Sequence, residues 1–96
     1  DGRSFDSANE AARYAELRLL EKVGAIRELV CQPRFDLIAC NGEVVAHFSP
    51  DFSYWSVELG QLVVEDVKSP ITKRETSYRL RKRLFEACHG IRLTEL

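Results

Sequence analysis

Ninety-six residues with 45% apolar content suffice for one small folded domain, 1–96, and a net charge of −1 gives no ground for disorder through self-repulsion. No stretch approaches the roughly 20 apolar residues of a membrane span, and the first residues lack the charged and apolar regions of an export signal, so neither a membrane nor secretion is expected. Three cysteines, Cys31, Cys40 and Cys88, are odd in number and widely spaced, which excludes a disulfide framework or a zinc cluster by pattern and points to a reducing, cytoplasmic setting.

In chain order, Ser7 followed by Glu10 has the spacing of a capping box, and the Ala- and Leu-rich run to Lys22 predicts a helix closed by Val23 and Gly24. Ala8, Ala11, Ala12, Ala15, Leu19 and Val23 form a small-residue stripe, and Tyr14, Leu17 and Leu20 widen the apolar surface expected to pack on a sheet. Residues 26–31 read as a strand interrupted at Gln32 and Pro33, and 35–39 as its continuation before the hairpin signal Asn41-Gly42. A long strand over 43–55 and another over 62–68 follow, joined by a turn near Glu58, Leu59 and Gly60. Ser69 and Pro70 end the second. From Thr76 the spacing becomes helical, with Leu80, Leu84 and Cys88 as the expected core line and Tyr78 and Phe85 beside them, up to Gly90. Residues 91–96 alternate as a closing strand. The expected class is therefore α/β, in the order helix, three or four strands, helix, strand.

The chemistry lies on the hairpin of the two long strands. With its turn centred between Glu58 and Leu59, Asp51 and Asp66 fall opposite one another, where Cβ atoms stand about 4.5–5.5 Å apart. Two carboxylates that close repel unless a cation lies between them. Alternation along the strand puts Lys68 on the face of Asp66 and sends Glu65 to the other, so Asp66 is the expected ligand and Glu65 the bystander. Oxygen donors of this kind suit Mg2+ or Mn2+. Lys68 is then expected to orient or help deprotonate an attacking water and to offset charge on a phosphate. The plainer alternatives are that Asp51 only begins a turn and that Asp66 and Lys68 form an exposed pair.

Pro50-Asp51, fourteen residues, then Asp66-Val67-Lys68 resembles the PD-(D/E)XK nuclease superfamily. The resemblance implies a restriction-endonuclease-like core with a mixed central sheet, metal ligation by Asp51 and Asp66 with help from the Val67 carbonyl, and a catalytic Lys68. It also matches Glu10 to an acid that many members carry on the first helix near the metal; capping remains its structural alternative. More narrowly, the stretches around Phe5, Asp6, Ser7, Glu10 and Ala11, around Gln32, Pro33, Arg34 and Phe35, and from Val64 to Lys68 resemble a small phage-encoded family of endonuclease-like, Holliday-junction-resolvase-like proteins. The implied activity is Mg2+- or Mn2+-dependent hydrolysis of DNA phosphodiesters, on branched or phage DNA in recombination or repair, within a bacterial host. A homodimer is the implied way for so small a chain to cover a duplex. The alternative is a catalytically silent nucleic-acid-binding or assembly module of the same fold.

Charge is concentrated. The segment 73–83 holds six basic residues and one acid on an otherwise acidic chain. Arg79, Arg81, Lys82 and Arg83 are the expected contacts to a DNA backbone, the alternative being a solvated helix face. Arg81 falls on the apolar arc, where it either snorkels outward or reaches a phosphate. Gln32 is either a DNA contact or a structural residue at the strand break. His47 and His89 have no metal-spaced partners and read as ordinary surface or core histidines.

Overall fold

Ser7 caps the first helix, its hydroxyl accepting the Glu10 N–H at 3.1 Å, and α1 runs over Ala8–Lys22. It ends at Val23, with Gly24 following at φ +82, the left-handed geometry that glycine adopts without strain. The computed structural model describes residues 7–68 and 74–96; Phe5, Asp6, the break at Ser69 and Pro70, and Lys73 lie outside them. The elements that follow α1 are β1 (Ile26–Cys31), β2 (Phe35–Ile38), β3 (Val44–Phe48), β4 (Phe52–Ser56), β5 (Gln61–Asp66), α2 (Thr76–His89) and β6 (Leu93–Glu95).

The strands form a four-stranded sheet in the order β1-β4-β5-β6 and a separate hairpin of β2 with β3. The larger sheet is mixed: β1 with β4 and β4 with β5 are antiparallel, and β5 with β6 is parallel. Register between β4 and β5 runs from Phe52 opposite Glu65 to Ser56 opposite Gln61, the pairing expected from the turn at Glu58 and Leu59.

Two expectations need correction. The strand drawn over 43–55 is two strands in two different sheets, because Pro50 has no N–H to give a central ladder and the chain turns there. Likewise 35–39 does not continue β1; β2 pairs with β3 instead, around the turn at Asn41 and Gly42. Gln32, in left-handed geometry at φ 51, redirects the chain between them.

The sheet is covered on both sides. On one face Tyr14 and Leu17 of α1 pack with Ile26, Phe52 and Tyr54, with Tyr14 stacked on Phe52 at 6.3 Å between ring centroids. On the other, Tyr78 and Phe85 of α2 pack with Leu37, Phe48, Val64 and Leu93. Tyr14, Leu17, Tyr78 and Phe85 are buried as expected, but the centres of the expected stripes are not. Leu19 is 65% exposed, Val23 78% and Leu80 57%, whereas Leu17 and Phe85 are fully buried. Large apolar side chains remove more area from water than a row of alanines does. Polar neighbours on the buried faces find partners across the interface: Lys82 pairs with Glu95 at 2.7 Å, and Glu86 accepts the Leu93 N–H at 2.8 Å. Among the described residues no helix is long and apolar enough to cross a membrane.

Candidate functional site

Asp51 is fixed by its backbone before its side chain does anything. Its N–H donates to the Glu65 carbonyl at 3.1 Å, and its own carbonyl accepts the Gln32 N–H at 2.8 Å, so the residue is clamped between β1 and β5. Ser49 adds a tie, donating its hydroxyl to the Pro33 carbonyl at 3.1 Å. One Asp51 carboxylate oxygen, Oδ2, accepts the Val67 N–H at 2.7 Å.

Asp66 lies one step past the Phe52–Glu65 pair, on the sheet face that carries Val64, and is fully buried. Lys68 reaches back over both acids: its Nζ stands 3.3 Å from Asp66 Oδ1 and 3.8 Å from Asp51 Oδ1. The hairpin thus brings together the three residues that the sequence singled out. Neither carboxylate oxygen of Asp66 receives an aligned hydrogen bond, although both are out of contact with solvent. Burial pushes the Asp66 carboxyl up to about 7; the charge of Lys68 opposes that rise and the charge of Asp51 adds to it. For Lys68 burial works against the charged amine, but Asp66 and Asp51, with a smaller contribution from Glu10, prevail and raise it above its ordinary value.

Glu10 is buried in the first turn of α1, and its charge is felt at Lys68. Among the described residues, no group of three or more His, Cys, Asp or Glu side chains is gathered closely enough to hold a metal by itself. The preassembled acids are the pair Asp51 and Asp66. That pair fits a hard divalent cation: Mg2+ keeps several waters and binds through one or two carboxylates, and buried carboxylate oxygens lacking aligned donors are the groups it would satisfy.

Glu65, next to Asp66 in sequence, is on the other face. Its carboxylate takes two hydrogen bonds from Arg13, at 2.8 and 2.6 Å, and a third from the Tyr54 hydroxyl. The bystander of the sequence reading is a buried structural anion holding α1 to the sheet. Burial and the Glu65 hydrogen bond push the Tyr54 hydroxyl up to about 12.

The remaining sequence candidates divide. Gln32 acts through its backbone, and its side chain is exposed. Lys82 is engaged by Glu95; Arg79 and Arg83 are exposed. His89 packs edge-on against Phe35 and contacts the Asp36 carbonyl at 2.7 Å, whereas His47, paired with Asp36 at 3.0 Å, also lines the cavity that holds Asp66 and Lys68. None of the three cysteines is in a disulfide.

Beside the acids opens a cavity of about 430 Å3, with Asp66 and Lys68 in its lining together with Arg81, Arg34, Ser49 and Tyr78. The Tyr78 hydroxyl donates to Glu95 at 2.8 Å, and burial together with that bond raises it far above its ordinary value, so it is a hydrogen-bond donor rather than an acid here. Sequence reasoning did not single out Tyr78 or Arg34 for the site. Tyr78 carried the signal of an apolar helix position, which conceals a hydroxyl at its end. Arg34 stands alone after a proline and belongs to no periodic pattern.

The family model described as a protein of unknown function (DUF1064) matches residues 1–94 of the chain. No curated protein and no solved structure matches it.

Proposed function

The chain belongs to the DUF1064 family, and because that membership brings no stated activity, we propose from the site itself a divalent-metal-dependent DNA endonuclease with a restriction-endonuclease-like core of the PD-(D/E)XK kind. The observation that supports this reading most is the clustering of Asp51, Asp66 and Lys68 on one hairpin face, with the Asp66 oxygens buried and lacking aligned donors.

Asp51 and Asp66 would hold Mg2+ or Mn2+, with the Val67 carbonyl and Glu10 in support. When bound, such an ion supplies Lewis-acid polarisation of a phosphoryl oxygen and makes water a stronger nucleophile at neutral pH. The Val67 N–H bond leaves Asp51 Oδ1 facing Lys68 and fixes the carboxylate's orientation. Lys68, kept cationic by the two acids, acts as a hydrogen-bond donor that orients the attacking water and offsets charge on the phosphate, rather than as the base that removes the proton. In the net reaction the water oxygen bonds to phosphorus while the ester oxygen leaves and takes up a proton. Arg79, Arg81 and Arg83 face solvent and provide charge for a DNA backbone, in a monomer or a homodimer.

The test is incubation of supercoiled plasmid and of branched DNA with Mg2+, Mn2+ or EDTA, beside Lys68→Ala and Asp66→Asn. Cleavage that requires the ion and disappears in both variants is expected. Cleavage indifferent to chelator and substitution, or none under any condition, overturns the proposal; the second outcome leaves the silent binding or assembly module.

A further inference from the structure

The basic run on α2 does not act as a unit. Of Arg79, Arg81, Lys82 and Arg83, only Arg81 lines the cavity beside Asp66 and Lys68, whereas Lys82 is bound to Glu95 at 2.7 Å. A second arginine reaches the same cavity from a distant part of the chain: Arg34, in the connection between β1 and β2. Both side chains belong to exposed residues, and among the described residues neither forms an ion pair with a carboxylate, although Glu75 also borders the cavity. Arg13, by contrast, is committed to Glu65.

Guanidinium groups present a planar fork of donors that matches phosphate oxygens, and two of them from separate elements define a position rather than a diffuse field. The volume of about 430 Å3 falls within the range of roughly 300–1,000 Å3 found for small-ligand sites, more than one phosphate fills. Ser49 adds a hydroxyl to the same wall.

We propose that Arg34 and Arg81 form a seat for a backbone phosphate of a nucleic-acid strand, placing that strand across the Asp51–Asp66–Lys68 centre. The assignment rests on the nuclease reading for the identity of the strand, but its binding test does not require turnover. Anchoring is thereby divided between two elements, the β1–β2 connection and α2, and Arg34 joins the binding residues.

The experiment measures binding of a labelled single-stranded oligonucleotide in EDTA across a salt series, for the wild type, Arg34→Ala, Arg81→Ala, the two Arg→Lys variants, and Arg92→Ala as an exposed arginine bordering a different concavity. Each cavity alanine variant is expected to weaken binding roughly 5- to 10-fold and to lower the salt slope by about one, with Arg92→Ala close to the wild type. The lysine variants should keep the slope and recover part of the affinity. Inorganic phosphate, followed by NMR, should perturb the amides of Ser49 and Ser77, and less so in Arg81→Ala. Equal affinity in wild type, Arg34→Ala and Arg81→Ala overturns the seat even if the protein cuts DNA. Binding that tracks both arginines without any cleavage supports the seat and removes the nuclease. A response to inorganic phosphate with none to the oligonucleotide overturns the assignment to a strand.

Discussion

Glu65 and Asp66 are consecutive, both are buried, and they meet opposite fates. Glu65 faces α1, where Arg13 and Tyr54 give its carboxylate three hydrogen bonds. Asp66 faces the hairpin and α2, where the Lys68 ammonium lies 3.3 Å from it, shared with a second carboxylate that stands beside it. Every lone pair left unsatisfied in a buried site costs free energy, so folds supply donors to structural anions. On one face three aligned donors serve the anion; on the other a single ammonium at 3.3 Å is shared between two carboxylates, and that difference is what the proposed chemistry of Asp66 rests on.

The sharpest way to break this contrast is Lys68→Ala. It should lower DNA cleavage per folded molecule by roughly 10²–10³-fold in a gel assay, with calorimetry correcting for the stability lost when two buried carboxylates lose their shared cation. A variant that cuts at the wild-type rate would reduce Lys68 to an ordinary ion pair. Next in size is Arg13→Ala, which strands Glu65 as a buried charge and should destabilise the fold by roughly 3 kcal/mol in urea titration, with cleavage per folded molecule unchanged. The converse holds for Asp66→Asn, expected to stabilise the metal-free protein at pH 8, read as a higher urea midpoint, since burial and the neighbouring Asp51 outweigh the Lys68 ion pair in penalising the charged carboxylate.

A pH series tests the same acid without mutation. With the folded-state value raised from 3.8 to about 7, the native protein keeps a proton on Asp66 that the unfolded chain has released. Stability from this group is therefore full below about pH 4, falls as pH rises through about 7, and levels off above. Urea midpoints in EDTA should show that decline, and saturating Mg2+ or Mn2+ should flatten it by favouring the carboxylate. A midpoint that climbs across this window would contradict the assignment. The smallest effect is expected for Ser7→Ala, which removes the cap hydrogen bond to the Glu10 N–H and should cost about 1 kcal/mol, with little change in cleavage.

Much of the site was legible because it depends on local rules. The turn at Glu58 and Leu59 sets the β4–β5 register, that register places Asp51 beside Asp66, and period-two alternation puts Lys68 with them and Glu65 away. The strand errors came from reading through Pro50 and Gln32, where the chain changes sheets; the helix error has another cause. Hydropathy along a helix cannot see a partner on another element. It counted Tyr14, Leu17, Tyr78 and Phe85 as apolar but centred the faces on Leu19, Val23 and Leu80, which are exposed, and gave no reason for Arg13 and Lys82 to lie beside the buried residues. Glu65 and Glu95 supply the missing partners for Arg13 and Lys82.

The sequence by itself determined the elements bounded by caps and turns, the hairpin pairing and the side of the strand on which each acid falls, since these follow from backbone stereochemistry over a few residues. Only the tertiary structure decided that the chain changes sheets at Pro50, which helix faces are covered, that Glu65 takes three aligned hydrogen bonds while Asp66 shares one ammonium with Asp51, and that Arg34 and Arg81 line one cavity. Those outcomes depend on which groups from distant segments share a buried volume, and burial sets the energy of a polar atom only once its neighbours are in place.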